Sequence, residues 1–287
     1  MPELIEVECY RLLAERALGR AVAEVSSPDS WILKAGTCAE DVAAALVGRH
    51  FIAARRIGKV LLLDVVGVAD LDGGARNDSD GSRQWPTSWG NGSRSAVIGV
   101  RFGMTGRLVV DGVCAINDLI YSKDRKDAPW DRWSVRFADG GTMVLRDPRR
   151  LGGVTIGPDV SRLGPDAALV TAAQLRTALT GSDAALKARL MDQSRLAGLG
   201  NLLTDEILWR AGLDPLRGAG SLSAPERQRL HRHIQESVHD LSERGGSHTG
   251  DLMAERFTGG RCPRDGAELQ RRSVSGRTTY SCPTHQR

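Results

Sequence analysis

No stretch of the 287 residues is apolar for long enough to span a membrane. The first residues, MPELIEVECYRLL, carry three glutamates where a secretory signal would be basic, so a cytoplasmic protein is expected. Cysteine is scarce and odd in number: Cys9, Cys38, Cys114, Cys262 and Cys282 are scattered, which argues against a disulfide framework. Lysine is scarce too. Of 39 basic residues five are lysine (Lys34, Lys59, Lys123, Lys126, Lys187) and 34 are arginine. The planar fork of arginine suits phosphate oxygens, but a genome rich in G and C would produce the same bias, so composition alone leaves both readings open.

What is present is ordinary for a soluble globular protein, with 41% hydrophobic and 26% charged residues. A net charge of +4 and a pI near 8.9 lean toward a polyanionic partner. The length exceeds one typical compact core and implies two domains with a small extra module.

Periodicity places a first helix over 3–18, stopped by Gly19. Short strand-like runs follow between Val22 and Val154, among them 60–66, 96–102, 107–110, 133–137 and 142–146, each bounded by Gly, Asp or Pro. A short helix fits 39–47. Such strands with turn punctuation point to a β-sandwich. The segment 68–95 is rich in Gly, Ser, Asp and Asn without a period and reads as a long mobile loop inserted between two strands. After Pro158 the pattern turns helical, over 184–192, 201–211 and 224–244, and a hairpin turning at Ser275-Gly276 closes the chain. The expected class is α+β and multidomain: a β-sandwich over 1–156, a helical domain over 157–255 and a terminal hairpin module over 256–287.

That hairpin carries the sharpest local signal. Cys262-Pro-Arg-Asp265 and Cys282-Pro-Thr-His285 form two knuckles flanking 16 residues, the spacing of a zinc ribbon with Asp and His where thiolates often stand. A tail this short buries too little apolar surface to fold unaided and needs a staple, so a structural Zn²⁺ is expected. The competing reading is a degenerate finger in which Asp265 is a turn residue. Ala197-Gly-Leu-Gly-Asn201 before a helix reads as a phosphate cradle or as a plain turn and cap. The clusters Arg55-Arg56…Lys59 and Arg146…Arg149-Arg150 are either nucleic-acid contacts or solvated faces. His231, His233 and His239 on one helix read as surface residues rather than a metal site.

In order along the chain stand Pro2-Glu3-Leu4-Ile5-Glu6-Val7-Glu8, Arg56-Ile-Gly-Lys59, Phe102-Gly-Met104-Thr-Gly-Arg107, Asp147-Pro-Arg149-Arg150-Leu151-Gly152, Leu163-Gly-Pro165, Leu190-Met-Asp192 and Gly198-Leu-Gly-Asn201 running on to Glu206. The hairpin with Gly276-Arg277 follows. Through these motifs, over nearly its whole length, the chain resembles the formamidopyrimidine-DNA glycosylase/endonuclease VIII (Fpg/Nei) family. The resemblance implies an N-terminal β-sandwich, a helix–two-turn–helix domain and a C-terminal zinc finger acting on damaged double-stranded DNA, as a monomer associated with the nucleoid. It implies that Pro2, once Met1 is removed, attacks the sugar C1′ as a secondary amine, and that Glu3 donates a proton to the opening deoxyribose. Lys59 would contact phosphate and assist β-elimination; Arg277 would hold phosphates around the flipped nucleotide and assist δ-elimination. Asn201, Arg132 and Arg150 take phosphate-contact positions, while Met104, Arg149 and Leu151 fill the gap left by the extruded base. A base inside a duplex is unreachable until flipped, which is why wedges and a covalent amine belong together here.

The chain also departs from that family. Ile5 replaces a proline, Arg101 a histidine and Leu151 a phenylalanine; Asp265 and His285 replace two cysteines. The stretch SHTGDLMAERFTGGR at 247–261 is shorter than the loop with which oxidised-guanine enzymes of the family cover the flipped base. Efficient action on abasic sites and ring-opened bases, and poor excision of 8-oxoguanine, are therefore expected. A second reading, a non-catalytic binder of abasic or distorted DNA on the same scaffold, is disfavoured because Pro2, Glu3 and Lys59 are all retained.

Overall fold

The computed structural model describes residues 2–67, 76–77, 83–84, 95–116 and 128–287. The loop expected over 68–95 lies, apart from these few positions, outside the described residues. The chain divides into two compact units. One comprises Met1–Pro2, Val7–Arg56 and Val60–Asp159; the other comprises Glu3–Glu6, Ile57–Lys59 and Val160–Arg287. Two short N-terminal pieces thus belong with the C-terminal half, which hydrophobic periodicity could not reveal.

The chain begins with α1 (Leu4–Ala14), and Ile5 sits buried in its first turn. The first unit continues with β1 (Val22–Ser26), α2 (Ala39–Leu46), β2 (Arg49–Ile57) and β3 (Val60–Gly67). After the two-residue β4 (Arg76–Asn77) and β5 (Arg83–Gln84) come β6 (Ala96–Arg101), β7 (Arg107–Val110) and β8 (Val113–Cys114), then β9 (Asp131–Phe137), β10 (Thr142–Arg146) and β11 (Gly153–Ile156). They build a five-stranded sheet, β1-β9-β10-β7-β8, and a four-stranded sheet, β11-β6-β3-β2. Alternation sets the inner faces: Trp133, Val135 and Phe137 of β9 point inward while Arg136 is exposed. They share one core with Leu61, Leu63 and Val65 of β3, Ile98 and Val100 of β6, and Tyr10 and Leu13 of α1. Burial of each such large side chain stabilises the unit by roughly 1.5–3 kcal/mol.

The second unit is built on α3 (Ala172–Leu179), α4 (Leu186–Met191), α5 (Asn201–Ala211) and α6 (Ala224–Glu243). α3 was not expected, although Thr171 and Gln174 form a capping box that marks its start. Leu190, Leu203, Ile207, Leu230, Ile234 and Leu241 pack in one core, and Leu4 and Ile5 join it. α5 stops at Gly212, whose φ of +65° is the left-handed cap that ends helices. The terminal hairpin pairs β12 (Gln270–Val274) with β13 (Arg277–Ser281) across Ser275-Gly276, both at positive φ as a tight two-residue turn requires. Among the described residues no helix is long and apolar enough to cross a membrane.

Candidate active site

α5 begins without a capping side chain, because its N-cap is Gly200. The first amides of a helix must find acceptors elsewhere. They find them in Glu3: Oε2 accepts from Gly200 N (2.8 Å) and Leu203 N (3.2 Å), and Oε1 accepts from Leu202 N (2.9 Å). A Cβ on Gly200 would lie 2.3 Å from Glu3 Cδ, so only glycine admits the carboxylate. The segment read as a phosphate cradle is therefore cradling a side chain of the chain itself, and these amides are not free for phosphate. Glu3 is 0% exposed. Its backbone N–H donates to Glu6 Oε2 (2.7 Å), and Glu6 Oε1 accepts from Ser247 N (2.7 Å) and Ser247 Oγ (2.6 Å).

Lys59 comes from the tight turn between β2 and β3. Gly58 precedes it at φ +54°, with its N–H donating to Asp166 (2.6 Å) and no room for a Cβ against Ala197. Burial pushes the Glu3 carboxyl above the usual carboxylate range; Lys59 and the α5 amides pull it down, and Glu6 adds to the rise. Burial likewise depresses the Lys59 ammonium, with Glu3 and Glu6 opposing and the positive charge of Arg277 adding to the fall. Glu3, Lys59 and Arg277 thus act electrostatically on one site. Pro2, the residue before Glu3, is buried, whereas Arg277 is exposed at the hairpin tip and Asn201, the first residue of α5, is half-buried with no partner for its Oδ1.

In the first unit the expected wedge residues are also brought together. Asp147, fully buried, accepts from Thr105 Oγ1 (2.6 Å), Arg149 N (3.2 Å) and Gly152 N (2.7 Å). That one carboxylate ties the Met104 turn to the loop carrying Arg149, Arg150 and Leu151. Arg150 lies at φ +58°, a conformation costly for a residue with a side chain, and Leu151 stands 50% exposed. Arg132 donates through Nε to Asp147 O (3.0 Å). Arg150 pairs with Asp29 through Nε (2.6 Å) and Nη2 (2.7 Å), and Arg132 Nη1 approaches the same carboxylate at 3.6 Å. Glu6 and Asp147 stood in the sequence motifs without an assigned role, and Asp29 was not singled out. The remaining arginines of the two basic clusters are engaged too: Arg55 with Asp64, Arg56 with Glu8 and Arg146 with Asp131.

The four expected metal ligands converge. Cys262, Asp265, Cys282 and His285 each place a ligand atom within 4.8 Å of the others, the one such group found among the described residues. His285 Nδ1 lies 3.0 Å from Asp265 Oδ2 and 3.5 Å from Cys262 Sγ, and Cys282 Sγ lies 3.2 Å from Asp265 Oδ2. Tetrahedral zinc with bonds of about 2.0–2.3 Å gives edges of about 3.3–3.8 Å; the separations of 3.0–3.5 Å lie close to these, and two thiols, an imidazole and a carboxylate are a donor set that suits that ion. Outer contacts prepare the ligands as well. His285 Nε2 faces Trp209 O (3.2 Å), which leaves Nδ1 as the ligating nitrogen, and Trp209 Nε1 donates to Cys262 Sγ (3.3 Å). Arg264 N and Thr284 N each donate to a sulfur at 3.4 Å. Asp265 is held well below the usual carboxylate range, first by the N–H of Ala267. The histidines of α6 stay apart from any such group: His231 meets Val170 O, His233 Glu236 and His239 Glu243.

This fold and this arrangement define a DNA repair glycosylase. The chain belongs to the Fpg/Nei family: the model for the formamidopyrimidine-DNA glycosylase N-terminal domain matches residues 1–154, and that for the formamidopyrimidine-DNA glycosylase H2TH domain matches residues 163–251. Formamidopyrimidine-DNA glycosylase of Paracoccus denitrificans is 30% identical over 315 aligned positions, with all of both chains covered. That of Carboxydothermus hydrogenoformans is 29% identical over 306, again covering both chains completely. Among solved structures, Lactococcus lactis Fpg bound to DNA containing an abasic site is similar in fold, with a TM-score of 0.76, 23% identity and 99% of each chain covered. The same enzyme with DNA containing N7-benzyl-Fapy-dG gives 0.75 at 23% identity, with both chains fully covered.

Proposed function

We propose that this chain is a bifunctional DNA glycosylase/AP lyase that acts on damaged bases in double-stranded DNA through a Schiff base on Pro2. The observation that carries this reading is Glu3: a buried carboxyl, raised by burial, held on α5 amides beside the residue that would supply the amine. Opening of a sugar ring needs a proton donor, and a carboxyl raised by burial holds its proton more firmly than an exposed one.

In this mechanism the free Pro2 nitrogen attacks C1′ and the N-glycosyl bond breaks, its electron pair leaving with the base, which gains a proton. Glu3 protonates O4′ as the ring opens, and the nitrogen lone pair closes an iminium at C1′. Loss of a C2′ proton then expels the 3′ phosphate as the C3′–O bond breaks. Loss of a further sugar proton expels the 5′ phosphate from C5′. Lys59 serves the first elimination, and Arg277 with Asn201 holds the phosphates that leave. Met104, Arg149 and Leu151 enter the duplex, with Arg132 and Arg150 on the backbone. Zn²⁺, held by Cys262, Asp265, Cys282 and His285, keeps the hairpin folded and takes no part in the chemistry.

The lesion preference follows from 247–261. Ser247 is bonded to Glu6, and Asp251 N and Leu252 N both donate to Glu206 at 3.0 and 2.9 Å, so this segment is pinned down rather than free to cover a base. A looser pocket discriminates weakly, and poorly stacked lesions flip at little cost. Abasic and ring-opened substrates are therefore favoured over 8-oxoguanine. Borohydride trapping on an oligonucleotide panel tests the reading. Wild-type protein should form a covalent adduct that Pro2→Gly, or a retained Met1, greatly reduces or abolishes while DNA binding persists. An undiminished adduct in protein that retains Met1, where the residue-2 nitrogen is an amide, would place the nucleophile elsewhere, and none in the wild type would leave a binder only.

A further inference from the structure

The mechanism leaves one group of buried ionisable side chains unused. Lys187 on α4 is 0% exposed, Asp205 on α5 is 1% exposed and the Arg256 side chain is 7% exposed. Lys187 Nζ pairs with Asp205 Oδ1 at 2.7 Å, and Asp205 Oδ2 accepts from the Arg256 guanidinium. Burying three charges costs stability that an apolar trio would not, and such groups are weak evidence for stability as such. What they touch is more informative. All three engage the strand that carries Arg277: Lys187 Nζ donates to Thr279 Oγ1 (2.7 Å) and Thr278 O (3.3 Å), and Thr279 Oγ1 donates onward to Arg277 O (3.1 Å). Asp205 Oδ2 also accepts from Tyr280 N (3.3 Å), and the Arg256 guanidinium lies 5.4 Å from the Tyr280 ring centre.

We propose that Asp205, acting through Lys187 and Arg256, is a positioning residue that sets Arg277 relative to Glu3 along α5. The same helix holds Glu3 on its first amides and, one turn further on, holds β13 through Asp205. The metal cluster fixes only the other end of β13, at Cys282, and the turn at Ser275-Gly276 belongs to a two-stranded ribbon that is marginal alone. Without the charged group the Arg277 end of the strand loses its tie to α5, while the metal knuckles keep theirs. This inference rests on the role of Arg277 at the leaving phosphates.

The test compares Asp205→Asn, the apolar trio Lys187→Met, Asp205→Leu and Arg256→Met, and Arg277→Ala on duplexes with a preformed abasic site. The apolar trio removes all three buried charges together and strands no charged partner, so it guards against simple unfolding. Zinc stoichiometry and the yield of borohydride-trapped adduct should stay within about threefold of wild type in both triad variants, while the ratio of δ- to β-elimination product falls roughly tenfold, toward that of Arg277→Ala. Amide hydrogen exchange over 276–279 should quicken in both. A wild-type ratio in either triad variant, or a loss of adduct and ratio in step with the folded fraction, overturns the proposal. If Arg277→Ala itself leaves the ratio unchanged, the role of Arg277 falls. Exchange at the hairpin tip then decides: faster in Asp205→Asn upholds the positioning, unchanged overturns it.

Discussion

Thr105 Oγ1 donates to Asp147 Oδ1 at 2.6 Å, and both residues are buried. This bond joins the two turns that present Met104 on one side and Arg149 and Leu151 on the other. Thr105→Val keeps the shape and leaves a buried carboxylate short of a donor, at a cost of about 1–3 kcal/mol. Chemical denaturation should register that loss. Excision from a paired duplex should fall more than cleavage of an abasic site in single-stranded DNA, which needs no wedge. Equal losses on both substrates would show that the bond serves only stability.

Much of this was legible in the sequence. The hairpin and the cluster of Cys262, Asp265, Cys282 and His285 could be read because knuckle spacing and a Ser-Gly turn are local signals. The alternating inner residues of β9, β10 and β6 follow from period two. Hidden were pairings far apart in the chain. Nothing local announces that Glu3 caps a helix starting at residue 201, or that Gly200 is glycine to admit it. The Gly-rich link before α5 reads as an anion cradle because its amides are unpaired in the sequence; the fold supplies the anion as a side chain. Asp29 escaped for a related reason, and Asp147 and Asp205 stood in family motifs without a role. An aspartate takes its meaning from the arginines, lysine and amides that the fold brings to it.

The metal cluster gives a further prediction. Ligands must shed protons to bind zinc, so binding is coupled to pH and to folding. Elemental analysis should find one zinc per chain, and Cys282→Ser should lose it. The small core of Trp209, Leu252, Leu269 and Tyr280 should then loosen, and Arg277 with it, so that DNA affinity drops while adduct formation at saturating DNA survives. Asp265→Ala should keep weaker zinc through the other three ligands. Zinc-free protein with an ordered hairpin would contradict the assignment.

Asp29 offers a gain rather than a loss. Its carboxylate holds Arg150 and approaches Arg132, the residues proposed to contact the phosphate backbone, and Arg150 in turn lowers the pKa of Asp29. A phosphate must compete with that carboxylate. Asp29→Asn removes the competitor, so affinity for undamaged duplex should rise several-fold. The slope of log K against log salt should steepen by up to about 0.9 for each phosphate newly neutralised. Unchanged affinity and slope would mean that these arginines do not reach the backbone.

The last prediction concerns pH. For Glu3 to protonate O4′ it must hold a proton, so single-turnover base release should decline as pH rises through its folded-state pKa. Burial raises that value above the ordinary 4.5, and the positive charge of Lys59 is the largest influence pulling it back. Removing the charge with Lys59→Met should therefore raise the Glu3 pKa further and move the alkaline limb of the profile to higher pH. The maximal rate should fall as well if Lys59 serves the elimination as proposed. The two effects separate because one changes the position of the limb and the other its height. Glu3→Gln should lose the limb together with most base release, while cleavage of a preformed abasic site, where the glycosyl bond is already gone, should suffer less. A limb that keeps its position in Lys59→Met would show that the group titrating there is not Glu3, and the proton donor would have to be sought among the other carboxyls near it, beginning with Glu6.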